Sequence, residues 1–139
     1  MAGPVEPSGN DAGDIAELGG RLFDMARSGN AATLAAYLDA GVPVDLTNSA
    51  GDTLVMLAAY HGHPATVQVL TRRGADVNRA NDRGQTPLAG AVFKGEDEVV
   101  RLLLEAGADP HAGAPNAVDT ARMFQQTAYL EMFGGPAEK

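Results

Sequence analysis

The sequence contains no cysteine and no tryptophan, and aromatic residues make up only 5% of its 139 residues. The absence of cysteine excludes disulfides, thiolate metal sites and thiol catalysis. Hydrophobic residues still account for 45% of the chain. The apolar content is therefore mainly Ala, Leu and Val, which suits thin helices that stack closely. The length fits one domain.

Lysine and arginine are also scarce, since ten of them stand against 18 aspartates and glutamates and the formal net charge is -8. Nucleic acids and anionic membranes are bound through clustered cations, which this chain lacks. No segment approaches the roughly 18 consecutive apolar residues of a transmembrane helix, and no secretory signal opens the chain. We therefore expect a soluble cytoplasmic protein, monomeric on its own, that binds neither nucleic acid nor membrane.

What the chain does contain is an internal repeat, whose two complete copies cover residues 48–80 and 81–113. A fixed period of about this length is typical of stacked repeats, in which each unit buries its apolar face only against its neighbours. The landmarks are Gly51, Thr53, Gly62, Gly74, Ala75 and Asp76 in the first copy, and Gly84, Thr86, Gly95, Gly107, Ala108 and Asp109 in the second.

Each copy predicts a loop, a helix, a two-residue turn, a second helix and a glycine stop. Thr53 and Thr86 are predicted to cap the first helices. Pro64 is predicted to begin the second helix of its copy, and Pro87 the first helix of the next, because proline suits the first helical position. The predicted core of the second helices consists of Val67, Val69 and Leu70, and of Val99, Val100, Leu102, Leu103 and Leu104.

Both copies resemble the ankyrin repeat. The resemblance is carried by GQTPL at 84–88, the alanine-rich first helix, GH at 62–63, VQVL and VVRLLL in the second helices, and GADVN at 74–78. It implies an all-α ankyrin repeat solenoid that binds a partner protein. The usual histidine of TPLH is replaced by Met56 and Ala89, so that its hydrogen bonds between repeats are absent and an apolar strip centred on Met56 is expected.

Two degenerate repeats are predicted to flank the two complete ones. The first helix is predicted to begin near Asp14. In the last repeat, Asn116 aligns with Thr86, Ala121 with Ala91 and Gln125 with Gly95. The predicted organisation is a disordered tail at residues 1–13, an ankyrin repeat domain at 14–133 with repeats at about 15–47, 48–80, 81–113 and 114–133, and a second tail at 134–139. The residues predicted to cover the third repeat are Val118, Ala121, Met123 or Phe124, Tyr129, Leu130 and Phe133.

Two clusters of polar residues suggest chemistry. His61 and His63 could belong to a metal site, but zinc needs three or four ligands and no third ligand lies at a recognisable spacing. His63 also occupies the histidine position of the ankyrin turn, where a supporting role is expected. The acidic residues 96–98 begin a helix whose dipole explains them. We expect no enzyme activity, cofactor or metal; a metal-dependent or enzymatic protein that uses His61 and His63 is the alternative, which titration with zinc would test.

The remaining candidate is a surface for an unidentified protein partner, which the chain would scaffold or regulate. In the ankyrin family, partners bind along the concave face formed by the loop tips and the exposed edges of the first helices. Tyr60 and Phe93 occupy the same position of successive copies and are predicted to stand side by side as an exposed aromatic anchor. The positions carried over are Arg27 and Ser28; Ser49, Ala50, Asp52, Met56, Tyr60 and His61; and Asp82, Arg83, Gln85, Ala89, Phe93 and Lys94.

Overall fold

A computed structural model describes residues 10–134 of the chain, with side-chain surroundings from residue 17 onward. Within that range the chain is helical, with no strand and only two isolated β-bridges, so the predicted all-α fold is confirmed. No helix there is both long and apolar enough to cross a bilayer. The helices are α1 (Asn10–Ser28), α2 (Ala31–Asp39), α3 (Leu54–Tyr60), α4 (Pro64–Arg72), α5 (Pro87–Lys94), α6 (Asp97–Glu105), α7 (Ala117–Met123) and α8 (Thr127–Met132).

Helix α1 begins at Asn10, upstream of the predicted start at Asp14. Residues 10–13 of the predicted tail are therefore helical. Gly19 and Gly20 lie inside α1. The rest of that tail, residues 1–9, and residues 135–139 of the second tail lie outside the described residues.

The helices form two layers. Helices α1, α3, α5 and α7 pack side by side in the inner layer, while α2, α4 and α6 follow one another in the outer layer, and each inner helix packs on the next helix of the chain. Leu34, Val67 and Val100 occupy one position of successive outer helices, and all three are fully buried. Because the same position is buried in each pair, the apolar core continues from one pair to the next.

Three predicted core residues are buried less than expected. Val69, Leu102 and Leu104 are only half-buried and pack at the margin of the core. Leu70 and Leu103, which occupy the same position of successive copies, are fully buried. The outer helices therefore turn a narrow apolar stripe inward, as expected for a helix with one face in water.

The last helix pair repeats the local geometry of the earlier ones. Asn116 caps α7, since its Oδ1 accepts a hydrogen bond from the backbone N–H of Asp119 at 2.7 Å. Gln125 takes a φ of 56° where its aligned partner Gly95 takes 72°, which confirms the alignment locally. Tyr129 is buried and donates its hydroxyl to the carboxylate of Asp97. Burial, followed by this hydrogen bond, raises the pKa of Tyr129.

Candidate functional site

The inner helices α3 and α5 are held in register by caps at their N-termini. The Oγ1 atom of Thr53 accepts from the backbone N–H of Met56 at 3.1 Å, and that of Thr86 accepts from Ala89 at 3.2 Å. Both caps are confirmed as predicted. Because each helix starts at the same point of its repeat, Tyr60 and Phe93 fall at equivalent places in the last turn.

The loops before these helices are fixed by two asparagines. Asn48 and Asn81 each accept, through Oδ1, from the backbone N–H groups two and four residues later, at 2.9 to 3.0 Å. Asn81 also donates to Oδ1 of Asp52 at 2.8 Å, and the N–H of Asp82 donates to the carbonyl of Ala50 at 3.0 Å. This role of the asparagines was not predicted from the sequence, although each asparagine opens one copy of the repeat.

A first groove of about 330 Å³ lies between the ends of α1 and α3 and the loop that precedes α5. We call it the polar groove, because charged and amide side chains from three repeats reach it. Its lining residues are Arg27, Asp52, Met56, Leu57, Tyr60, His61, Arg83 and Gln85. The structure therefore brings together six residues of the predicted site with Arg27 of the preceding repeat.

Cationic side chains surround the polar groove. Lys94 Nζ lies 4.6 Å from the centroid of the Tyr60 ring, a cation–π distance. Arg27 forms an exposed ion pair with Asp24 at 2.9 Å. Partial burial lowers the pKa of His61, and the positive charges of Lys94 and Arg27 and the neighbouring His63 lower it further.

A second groove of about 240 Å³ lies on the same face between α5 and α7. We call it the apolar groove. The rings of Phe93 and Phe124 meet edge to face across it, with centroids 5.5 Å apart. Phe93 is 52% exposed, Phe124 48% and Met123 67%. The lining residues are Tyr60, Gln85, Ala89, Gly90, Phe93, Pro115, Thr120, Met123 and Phe124.

One prediction about this face is wrong. Met123 or Phe124 was predicted to pack on the third repeat as core, yet both side chains are exposed. The reason is their position: in the alignment that puts Gln125 under Gly95, Met123 lies under Phe93 and Phe124 under Lys94. Both residues therefore fall on the open edge of an inner helix. That alignment was the signal that could have found them.

The predicted binding residues divide between surface and interior. Met56 is 4% exposed and Ala89 6%, so neither offers much area to a partner. The loop-tip residues Ser49, Ala50 and Asp82 are exposed but line neither groove. Tyr60 and Phe93 both line the apolar groove, but the ring that meets Phe93 belongs to the next repeat.

His63 has the structural role expected of it. Its Nε2 lies 2.7 Å from the carbonyl oxygen of Arg27, to which it donates in the tautomer protonated there. A Cβ at Gly29 would lie 2.5 Å from Nδ1 of His63, so the ring rests on a backbone where only glycine fits. Among residues 17–134, no three His, Asp or Glu side chains are grouped to hold a metal ion.

The comparisons with known proteins agree with this architecture. The model of the family described as ankyrin repeats (3 copies) matches residues 22–114. A Pseudomonas aeruginosa protein that is named as an ankyrin repeat protein is 54% identical over 43 residues, which are 31% of this chain and 25% of that protein. The chain thus spans about a quarter of the length of the curated relative it matches. Because the family model covers more than half of the 139 residues, this chain belongs to the ankyrin repeat family, whose repeats are generally protein–protein interaction modules and typically not enzymes.

Proposed function

We propose that this protein binds a partner protein through the face that contains the polar and apolar grooves, and that it acts as a scaffold or regulator of that partner. The observation that carries the proposal is the exposed cluster of Phe93, Met123 and Phe124. Large apolar side chains grouped on a surface typically mark an interaction site.

The energetics favour an aromatic anchor here. Phe93 exposes 52% of its surface, and burying this exposed part against a partner would contribute on the order of 1 kcal/mol. Aromatic residues near the centre of an interface carry a disproportionate share of the binding energy. The frame that presents Phe93 is already ordered by the Thr86 cap, so that little conformational entropy would be lost on binding.

We also propose where the protein acts and which classes of partner it does not bind. The net charge of -8 and the absence of cysteine favour a cytoplasmic, non-enzymatic protein that contacts neither nucleic acid nor membrane, and that is monomeric until its partner binds. No metal or cofactor takes part in the proposed binding.

Affinity capture from lysate tests the proposal, with three forms of the full chain as bait: the wild type, the double variant Tyr60→Ala with Phe93→Ala, and Met132→Ala. Met132 is 42% exposed on α8 and lines neither groove, which makes it a matched apolar control. We expect a partner that the wild type and Met132→Ala both retain and the double variant loses. Melting temperatures should agree within a few degrees because the altered side chains are partly exposed. Equal capture by all three baits would move the interface to another surface.

A further inference from the structure

The two grooves meet at a shared wall. Tyr60 and Gln85 each line both of them. Lys94, which lies over the Tyr60 ring, stands next in the chain to Phe93. An extended partner segment that places a side chain in the apolar groove therefore has its neighbouring residues beside the cations of the polar groove.

The charge of the polar groove is opposite to that of the whole molecule. Three of the ten lysines and arginines of the chain, at positions 27, 83 and 94, lie in or beside it, against two of the 18 carboxylates: Asp52 in its lining, and Asp24, which pairs with Arg27 at 2.9 Å. Asp52 is already engaged, since its Oδ1 accepts from Asn81 at 2.8 Å. Within the described residues, neither Lys94 nor Arg83 forms an ion pair. These two cations are therefore available to an anionic group.

We propose that the partner segment is an acidic peptide, in which a bulky apolar side chain enters the apolar groove and adjacent carboxylates face Lys94 and Arg83. This inference rests on the proposed binding function and specifies the chemistry of the partner. A basic segment would meet like charges at the polar groove, which is a cost. An apolar segment without carboxylates would leave the cations unpaired, so that only half of the site would be used.

Synthetic peptides test the inference with the full chain immobilised. Three pools of equal length and equal Phe and Leu content are compared; their remaining positions hold Glu and Asp, Lys and Arg, or Ser and Gln. We expect the acidic pool to be retained about tenfold more strongly than the basic one, a difference of ~1.4 kcal/mol. The preference should shrink as salt is added, because exposed charges are screened.

Charge-reversal variants test whether Lys94 and Arg83 cause the preference for the acidic pool. Lys94→Glu should abolish the preference for the acidic pool, whereas Arg72→Glu, which changes the net charge equally on an exposed position of α4, should keep it within about twofold. Circular dichroism melts would show that both variants fold, and Arg83→Glu gives a second reversal on a loop.

The outcomes separate this inference from the proposed function. Equal retention of the acidic and neutral pools, unchanged by Lys94→Glu but lost with Phe93→Ala, would overturn the acidic partner while supporting binding at this face. Stronger retention of the basic pool would do the same. Retention of every pool at wild-type strength by Phe93→Ala would overturn both ideas at once.

Discussion

The polar groove and the apolar groove occupy the same face of the same repeat frame, yet they differ in chemistry. One column of equivalent positions runs through both and holds Arg27, Tyr60, Phe93 and Met123. Along that column the side chains change from charged to apolar as the chain proceeds. The difference shows that the frame fixes where a side chain is presented and leaves its chemistry free, so function is carried by the residues set on the fold.

The packing of α5 couples the two grooves. Gly90 of α5 is buried, and a Cβ built there would lie 3.3 Å from both Met56 and Tyr60. Helix α5 packs on α3, which lines the polar groove, and on α7, which lines the apolar groove. The loss of side chains at the rim should therefore affect one groove, while the loss of the α5 core should affect both.

The largest effect is expected from Leu88→Ala. Leu88 is 1% exposed in the first turn of α5, and a cavity at such a site typically costs about 2–5 kcal/mol. Urea unfolding followed by circular dichroism measures the loss of unfolding free energy. Since α5 supports both grooves, peptide retention that depends on Lys94 and retention that depends on Phe93 should fall together.

Leu88→Met is the control, because a swap that keeps the volume should cost less than about 1.5 kcal/mol. If Leu88→Ala removed retention at the apolar groove and left the preference set by Lys94 intact, the grooves would be independent units. In that case α5 would not be a common support of the two grooves.

A smaller effect is expected from pH, and it should be confined to the polar groove. His61 lines that groove, whereas no histidine or carboxylate lines the apolar groove. Burial in the first place, and then the nearby Lys94, Arg27 and His63, lower the pKa of His61 from its ordinary value of 6.5. The ring is therefore neutral at pH 7. A carboxylate bound beside it would favour the protonated form, so that affinity for the acidic peptide pool should rise about fivefold as the pH is lowered and the ring becomes protonated.

The stability of the free protein should change in the opposite direction. Because the folded pKa of His61 lies below the unfolded one, the unfolded chain binds more protons between the two values, and the unfolding free energy falls as the pH drops through that window. Below the folded pKa no further loss comes from this residue. His61→Gln should remove the pH dependence of binding, and His111→Gln, in an exposed loop, should retain it. The same fivefold rise in His61→Gln would assign the effect to another group.

The residues that build the frame could be predicted from the period of the complete copies, whereas the Met123 and Phe124 side of the apolar groove could be found only from the alignment of the shortened last repeat. Thr53 and Thr86 cap their helices as predicted, and Asn116, which aligns with Thr86, caps α7, because capping depends on the backbone within one turn. Such local interactions are the same in every copy, so the period reveals them. The landmark glycines of the two complete copies are found in the same way.

The apolar groove depends on contacts between repeats of unequal length. The ring that meets Phe93 is Phe124, whereas the strict period of the complete copies points to Gln126. Met123 and Phe124 also carry the composition of a core, so that exposure could not be inferred from residue type alone. The burial of Met56 was missed for a related reason: it depends on how closely α5 approaches across Gly90.

The turns behind the two grooves give the smallest and sharpest comparison. Below the polar groove, His63 Nε2 lies 2.7 Å from the carbonyl of Arg27, and below the apolar groove Gln126 Nε2 donates to the carbonyl of Val92 at 3.1 Å. Glu96 occupies the equivalent place in the intervening turn, where a Cβ at Gly62 would lie 2.5 Å from its Oε2. A carboxylate has no proton to donate, and this one lies beside Gly62, just past the C-terminus of α3, where the helix dipole disfavours negative charge.

Glu96→Gln should therefore stabilise the protein, since the amide can donate to the end of α3 as Gln126 donates to that of α5. We expect a gain of about 0.5 kcal/mol, because part of the hydrogen-bond energy is offset by the loss of negative charge at the start of α6. Glu98→Gln is the matched control: it removes the same charge slightly further along α6, where Glu98 pairs with Arg101 at 3.0 Å, and it should be neutral or slightly destabilising. Urea unfolding of the two variants measures the difference. If Glu96→Gln were no more stable than Glu98→Gln, the end of α3 would gain nothing from a side-chain donor of the kind that His63 and Gln126 supply in the two neighbouring turns.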